Sequence, residues 1–324
     1  MKRAYLIINP ASGTWLRRVD RDVIRGKLAR GSMSLTVYET HRPGEATQAA
    51  RRAVDGGFDL VIAAGGDGTI NEVANGLALT QVPLAILPQG TENVLAQEFS
   101  IPLHPSDAGD IILEGNTVTI DLGLVRDRYF LLMVGVGLDA QVAREVDPML
   151  KKIFGSAAYP LTALQTVLRF DPAKMEIDIG GEHVPRAGYF VIVGNSRNYA
   201  AGFKVTSLAR LDDGKLDVCI FKRSKIADLL RYVVATAQLK QLDLEDVEYV
   251  QAERITIRAP RKIPVHADCE IMGSTPVDIR CVPGALRLVV PHPGFKRPGL
   301  PDLRAEILAL IQGSPLSRPR ERKR

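Results

Sequence analysis

Three short polar segments in the first 95 residues each follow a short apolar run of the chain. They are residues 9–13 (NPASG), residues 65–69 (GGDGT) with the nearby Asn71 and Glu72, and residues 88–93 (PQGTEN). Glycine lets backbone N–H groups approach an anion, and the start of a helix carries a partial positive charge. Each segment is therefore suited to hold a phosphate group.

Asp67 is the acid inside the second segment, where a bare phosphate would repel its carboxylate. Its presence predicts either a bound metal ion or a hydroxyl group that the carboxylate activates. An ordinary glycine turn with a helix-capping aspartate is the alternative. The chain contains no GxxxxGK(S/T) segment, which excludes a P-loop nucleotide site.

Strands and helices alternate up to about residue 125 and must position these segments. Strands are predicted at 5–8, 35–39, 60–64 and 82–87, and helices at 19–29, 45–54, 70–79 and 92–98. This alternation predicts a Rossmann-like α/β domain, a parallel sheet with helices on both faces. The polar segments then lie at the carboxyl ends of strands, where such sheets bind ligands.

The second part of the chain is richer in strands. They are predicted at 129–134, 175–179, 189–193, 216–221, 254–258, 277–281 and 285–290, with helices only at 149–169 and 224–239. Successive strands of this length predict an antiparallel β-sandwich, so the fold class is α/β plus all-β. The apolar positions of 149–170 fit either a gate for a lipid or part of the core.

These patterns divide the chain into a nucleotide-binding domain at 1–125 and a β-sandwich domain at 126–295. A helix at 300–312 is predicted to pack back on the first domain, and residues 313–324 are predicted to be a disordered basic tail. The last seven residues hold five basic groups and one acid, so they supply +4 of the net charge of +5. The body is therefore nearly neutral, which argues against nucleic-acid binding. The tail is either solvated or a peripheral contact with anionic membrane.

The three cysteines and the apolar runs limit the compartment. No C-x-x-C pair is present, which argues against a disulfide framework and against a zinc site. No apolar run approaches the roughly 18 residues that a transmembrane helix requires. We expect a cytoplasmic protein, with peripheral contact at the inner membrane face as an option. The sequence does not predict the oligomeric state.

The three polar segments together resemble the nucleotide-binding motifs of the diacylglycerol kinase catalytic-domain family. This family includes bacterial diacylglycerol and other lipid kinases and is related to sphingosine and ceramide kinases. Residues 135–140, 208–217 and 266–270 are similar to elements of its second domain, so the resemblance covers roughly residues 3–292. It implies a fold like that of NAD kinases and phosphofructokinases, ATP and Mg²⁺ as cofactors, and a lipid hydroxyl as the phosphate acceptor.

The resemblance also implies roles for individual residues. Asp67 and Asp121 would orient catalytic Mg²⁺, and Glu270 would be the general base, a role that some family members give to the aspartate matching Asp67. Asp213, with the backbone carbonyls of Arg210 and Lys215, would bind a structural magnesium, although Asp-Asp-Gly is also an ordinary turn. The residues expected to contact ATP are Asn9, Pro10, Ala11, Ser12, Gly13, Thr40, Gly65, Gly66, Asp67, Gly68, Thr69, Asn71, Glu72, Gly90, Thr91 and Asn93.

Two departures from the family pattern keep other functions open. Val94 stands where bacterial diacylglycerol kinases often have an aspartate, and Cys269 replaces the usual glycine before Glu270. A small-molecule kinase of the NAD kinase type and a non-catalytic nucleotide-binding regulator are the alternatives. Residues 135–140 (GVGLDA) also fit a dinucleotide fingerprint, but no acid follows about 20 residues later, as that site would require.

Overall fold

A computed structural model describes residues 2–12, 18–137, 172–180, 185–199 and 203–292. The predicted helices at 149–169 and 300–312, residues 138–140 of the segment 135–140, Gly13 and the basic tail lie outside these ranges. Among the described residues, no helix combines the length and apolar character needed to span a membrane.

The first part of the chain forms the predicted alternation of strands and helices. Its elements are β1 (Lys2–Ile8), α1 (Arg18–Arg30), β2 (Met33–Glu39), α2 (Glu45–Asp55), β3 (Leu60–Gly65), α3 (Asp67–Leu77), β4 (Leu84–Pro88), α4 (Val94–Glu98) and α5 (Pro105–Glu114). Helix α3 begins three residues earlier than predicted, so Asp67 is its first residue. Helix α5 was not predicted.

The four N-terminal strands lie in the order β2-β1-β3-β4, and each neighbouring pair is parallel. All six residues of β3 are buried, because helices cover both faces of the sheet. Helix α2 contributes four buried alanines, which let it pack closely on α3. The carboxyl ends of β1, β3 and β4 therefore meet at one edge, as the sequence predicts.

The second part contains most of the strands. Its elements are β5 (Thr117–Val125), β6 (Arg128–Phe130), β7 (Met133–Val136), β8 (Met175–Ile179), β9 (Arg186–Gly188), β10 (Phe190–Gly194), β11 (Leu216–Phe221), α6 (Ile226–Ala237), a 3-10 helix (Gln241–Asp243), β12 (Val247–Ala252), β13 (Arg254–Arg258), β14 (Pro264–Ala267), β15 (Glu270–Ser274) and β16 (Val277–Val289). A six-stranded antiparallel sheet runs in the order β12-β11-β10-β7-β14-β15. It packs through a buried apolar cluster on β5, β8, β13 and β16, which confirms the predicted sandwich.

Strand β16 differs most from its prediction. The two strands expected at 277–281 and 285–290 form one strand with an irregularity between Val282 and Leu286. Its end pairs in parallel with β4 through Leu288 and Leu84, while most of its length pairs with β5. The α/β part and one layer of the sandwich consequently share a single ten-stranded sheet.

Candidate functional site

Asn9 fastens the first polar segment to the second. Its side-chain amide donates to Thr69 Oγ1 at 2.9 Å, and its side-chain oxygen accepts the Ala11 N–H at 3.0 Å. Ser12 Oγ donates back to the Asn9 carbonyl at 2.9 Å. The loop after β1 is thus a hydrogen-bonded turn held against the first turn of α3.

The second and third segments touch backbone to backbone at Gly66 and Gly90. A Cβ atom built on Gly90 would lie 2.6 Å from Gly66 Cα, and one on Gly66 would lie 3.1 Å from Gly90 Cα. A Cβ on Gly65 would collide with Thr69 at 2.6 Å. Gly68 differs, because a Cβ there would meet no heavy atom within 4 Å. Gly68 therefore borders open space at the start of α3, where a phosphate can approach.

Asn93 closes the third segment. It adopts a left-handed conformation with φ of 50°, accepts the Gly90 N–H at 2.7 Å and donates to the Gly90 carbonyl at 2.7 Å. The side chain is buried, whereas Thr91 is exposed on the same loop. Helix α4, which follows, is anchored through Glu98, whose carboxylate pairs with Arg197 at 2.8 Å. Asn93 therefore shapes the loop, and Thr91 is free to meet a ligand.

Asp67 has a buried carboxylate oxygen, Oδ1, for which the described residues supply no hydrogen-bond partner. Burial raises the pKa of Asp67 to about 6, and the backbone N–H groups of Leu95 and Val94 pull it down. Gln89 Oε1, at the end of β4, is likewise buried without a partner among the described residues. Buried oxygens without partners are costly, and Mg²⁺ prefers oxygen ligands. Each of these oxygens therefore has the chemistry of a magnesium ligand.

Three other predicted ATP contacts use their polar groups within the protein. Glu72 accepts the backbone N–H groups of Gly44 at 2.9 Å and Ala46 at 3.1 Å, at the start of α2. Asn71 donates to the Asp268 carboxylate at 2.8 Å, and both the N–H and the hydroxyl of Thr40 point to the Ile8 carbonyl. These residues brace the elements around the loops, and their contact with ATP stays a prediction.

Asp268 is a site residue to which the sequence analysis gave no role. Its carboxylate accepts the N–H groups of Leu131, Leu132 and Met133 at 2.7–3.0 Å, in addition to the Asn71 amide. Burial raises the pKa of Asp268, and these four donors oppose that shift. The side chain therefore ties α3, which carries Asp67, to the sandwich domain.

The turn between β14 and β15 explains why an aspartate and a small residue stand at positions 268 and 269. Ala267 pairs with Glu270, so Asp268 and Cys269 are the two central residues of a tight hairpin. Both have positive φ, 46° and 67°, as in a type I′ turn, where Asp-Gly is favoured. An aspartate followed by a small residue between two short strands was the signal that could have revealed this turn.

Glu270 follows the turn directly and faces Arg128 on β6. Its Oε2 lies 2.6 Å from Arg128 Nη2, and both side chains are about one third exposed. Burial raises the pKa of Glu270, Arg128 lowers it, and the charges of Glu72 and Asp268 raise it further. Glu72, one of these two charges, is on α3, the helix that begins with Asp67.

Asp121 lies in a different set of contacts from the one expected for a magnesium ligand. Its two carboxylate oxygens accept the N–H groups of Gly214 and Gly284, each at 2.7 Å, and the side chain is buried. Its own N–H donates to the Leu211 carbonyl at 2.6 Å. The structure thus gives Asp121 the role of fixing two turns, and its role toward catalytic Mg²⁺ stays a prediction.

The segment around Asp213 forms a turn next to Asp121. Asp213 Oδ1 accepts the Lys215 N–H at 3.1 Å, and Oδ2 accepts the Gln251 side chain at 3.3 Å, while the Arg210 side chain pairs with Asp212. Within the described ranges, no three His, Cys, Asp or Glu side chains gather as a metal site would require. A structural magnesium held by Asp213 and the carbonyls of Arg210 and Lys215 stays a prediction, beside the simple turn.

Comparisons with known proteins agree with this arrangement along most of the chain. The sequence model of the diacylglycerol kinase catalytic domain matches residues 3–125, and that of the YegS C-terminal NAD kinase beta sandwich-like domain matches residues 132–290. A diacylglycerol kinase of Bacillus subtilis is 31% identical over 280 residues, which are 85% of this chain and 92% of that protein. One of Staphylococcus aureus is 30% identical over 86% of this chain and 89% of that protein.

The solved structures lead to the same family. A provisionally named diacylglycerol kinase of Bacillus anthracis superposes with a TM-score of 0.76 at 26% identity, covering 90% of this chain and 95% of that one. At this coverage the match extends over both the α/β part and the sandwich. The chain therefore belongs to the diacylglycerol kinase catalytic-domain family.

Proposed function

We propose that the protein is an ATP-dependent lipid kinase, which transfers the γ-phosphate of Mg-ATP to a lipid hydroxyl group. One observation carries the proposal. Asp67 presents a buried oxygen without a partner among the described residues, beside two touching glycine loops, and Asp268 ties the same helix to the hairpin that presents Glu270. Holding a polyphosphate and activating a hydroxyl are the two tasks that phosphoryl transfer requires.

The glycine loops would hold the phosphates. The N-terminus of α3 supplies backbone N–H groups and the positive end of a helix dipole, and Gly68 leaves the space open. Asp67 Oδ1 and Gln89 Oε1, the latter in the third loop, would hold the metal ion that neutralises charge on the phosphates. The Thr91 hydroxyl, which is exposed on the third loop, would donate to the phosphates.

Glu270 would accept the proton of the lipid hydroxyl. The hydroxyl oxygen would attack the γ-phosphorus in line with the bond to the departing ADP. Burial raises the pKa of Glu270, which makes the carboxylate a stronger base, and among the described residues only its Oε2 is paired, with Arg128, which would leave Oε1 for the substrate. Asp67, with a pKa raised to about 6, is the alternative base. Valine at position 94 still allows a hydrogen bond to Asp67, because the backbone N–H of Val94 donates to the Asp67 carboxylate.

Relatives named diacylglycerol kinases make diacylglycerol the first acceptor to test. An acceptor of this kind would place the enzyme in the cytoplasm, in peripheral contact with the inner membrane face. Residues 132–290 match an NAD kinase beta sandwich-like domain, so NAD is the acceptor to test for the alternative function, a small-molecule kinase.

The test is transfer of labelled γ-phosphate from Mg-ATP to diacylglycerol, ceramide, sphingosine, phosphatidylglycerol and NAD. Glu270→Gln should lower kcat by about 10²- to 10⁴-fold, the usual loss of a general base, with ATP binding retained. Glu114→Gln, at the exposed end of α5, is the matched control and should keep full activity. Label on NAD alone, or ATP binding without any labelled acceptor, would refute the lipid kinase.

Asp67→Asn separates the two roles proposed for that residue. If Asp67 holds the metal ion, the variant should need a higher Mg²⁺ concentration for half-maximal rate. If Asp67 is the base, kcat should fall at every Mg²⁺ concentration while Glu270→Gln stays active. The Mg²⁺ dependence of the rate, measured for both variants, distinguishes these outcomes.

A further inference from the structure

Helix α6 exposes an apolar stripe on the side that faces away from the protein. Leu229 and Tyr232 on its inner side are buried in the core. Ile226, Leu230 and Val233 follow at i, i+4 and i+7, so they lie on one side of the helix, and they are 45%, 52% and 49% exposed. Single exposed apolar residues are ordinary, but an aligned stripe of aliphatic side chains on one helix is a mark of an interaction surface.

The charges around this stripe are arranged with the cations outside. Lys222, Arg223 and Arg231 have side chains that are 43%, 65% and 43% exposed. Their acidic partners are Asp228 in the first turn of the helix, Asp246 and Glu248, which are more covered, at 16%, 11% and 25%. The cations of these ion pairs are therefore more exposed to solvent than the acids.

The N-terminal end of the helix is the most positive part of this surface. Lys225, the residue before the first turn, is exposed beside Lys222 and Arg223. Two exposed acids, Asp243 and Glu245, follow only beyond the C-terminal end. An incoming partner therefore meets aliphatic side chains bordered by cations at the start of α6.

We propose that this surface, Ile226, Leu230 and Val233 with the cations of 222–231, lies on an anionic lipid bilayer. Aliphatic side chains of an interfacial helix enter the boundary between headgroups and acyl chains, and Lys and Arg heads bind the phosphates of the headgroups. The inference rests on the proposed function in one respect, since a lipid acceptor is embedded in a bilayer. The predicted basic tail would add attraction but would not supply the apolar contact.

A second copy of the chain is a poorer occupant of the same surface. A twofold contact is isologous, so each residue of the patch meets the same patch on the other copy. Such a contact would bring the outward cations of the two helices together, while their acids remain covered beneath them. A bilayer containing phosphatidylglycerol instead supplies the opposite charge.

The experiment measures binding of the full chain to sedimented vesicles. One set contains phosphatidylcholine with about one third phosphatidylglycerol, and the other contains phosphatidylcholine alone. We expect binding to the anionic set only, with a partition coefficient that falls as salt rises. Leu230→Gln/Val233→Gln should weaken binding about tenfold or more, and Lys225→Glu by about fivefold or more.

Leu79→Gln is the matched control, because Leu79 is 64% exposed on the α/β part, and it should bind like the parent chain. Equal binding by the double variant would overturn the proposal and assign the attraction to another surface, such as the basic tail. A dimer of the parent chain that the double variant splits, measured by light scattering, would also overturn it. The vesicle assay needs no phosphate transfer, so failure of the kinase proposal would leave its result intact.

Activity supplies an independent readout. The double variant should lose rate on long-chain diacylglycerol presented in anionic vesicles, roughly in proportion to its lost binding. Its rate on a short-chain diacylglycerol dispersed in water should stay within about twofold of the parent chain. Equal loss on both substrates would place the effect in the catalytic machinery and overturn the surface role.

Discussion

Replacing Arg128 with methionine should change the pH at which the proposed base becomes active. The guanidinium lies 2.6 Å from Glu270 and stabilises its ionised form. Because both side chains are about one third exposed, solvent screens the pair, and we take its worth as about 1 kcal/mol. That corresponds to slightly less than one pKa unit. Arg128→Met should therefore raise the pKa of Glu270 by roughly that amount.

The sign of the effect on rate follows from the role of a base. Glu270 must be ionised to accept a proton, so activity falls as the pH drops below its pKa. In Arg128→Met the acidic limb of the kcat/KM profile should move to higher pH by about 0.7 unit, a loss of about fivefold well below the limb. Above the limb the variant should recover nearly the parent rate.

The assay is kcat/KM for diacylglycerol between pH 5 and 9. Arg128→Lys should keep most of the parent profile, because it restores the positive charge. Arg126→Met is a matched control on the same hairpin, since the Arg126 guanidinium binds the carbonyls of Met272 and Ser274 instead of Glu270. A limb that stays in place, or an equal loss at every pH, would refute the pairing argument. If the limb persists in Glu270→Gln, the base is another residue.

Three further predictions concern stability and ATP binding. Asp268→Ala removes an acceptor shared by four donors and should lower the free energy of unfolding in urea by about 3 kcal/mol; a loss below 1 kcal/mol would contradict that role. Cys269→Gly relieves a side chain at φ of 67° and should raise the free energy of unfolding by up to about 1 kcal/mol, whereas a decrease would show that no strain is held there. Gly68→Ala should leave stability unchanged but raise the KM for ATP, since its Cβ enters open space. Gly90→Ala should destabilise the fold by about 1–3 kcal/mol through contact with Gly66; equal thermal shifts for the two alanine variants would contradict this distinction.

Features set by local sequence were predictable. Strand β3 and the start of α3 follow from an apolar run, a glycine turn and helical spacing, and they occur where expected to within three residues. Helix α5 also carried local signals, Pro105 at its first position and Gly115 in a left-handed conformation after its end. It was missed because its apolar set is short and three of its ten residues are acidic.

Features set by contacts distant in sequence were not predictable. Asn71 and Asp268 are 197 residues apart, and no periodicity links them. Strand β16 was divided at Pro283 and Gly284, which locally favour a turn. In the structure Gly284 has φ of 59° and its N–H donates to the Asp121 carboxylate. The irregularity is thus accommodated within one continuous strand. The sequence therefore provided no means to separate a structural role of the buried acid Asp121 from a catalytic one, and it indicated no role for Asp268.

The shared sheet also has a consequence for how the chain folds during synthesis. Strand β4 pairs with β3 on one side and with β16 on the other. Leu286, Leu288 and Val289 of β16 also pack in the two apolar cores of the α/β part. Strand β16 is synthesised about 190 residues after β4. The α/β part therefore has an unpaired strand edge at β4 until nearly the whole chain has left the exit tunnel. Such an edge can pair incorrectly with other strands. A nascent chain stopped before residue 277 should remain sensitive to protease throughout the α/β part, which carries the proposed ATP site.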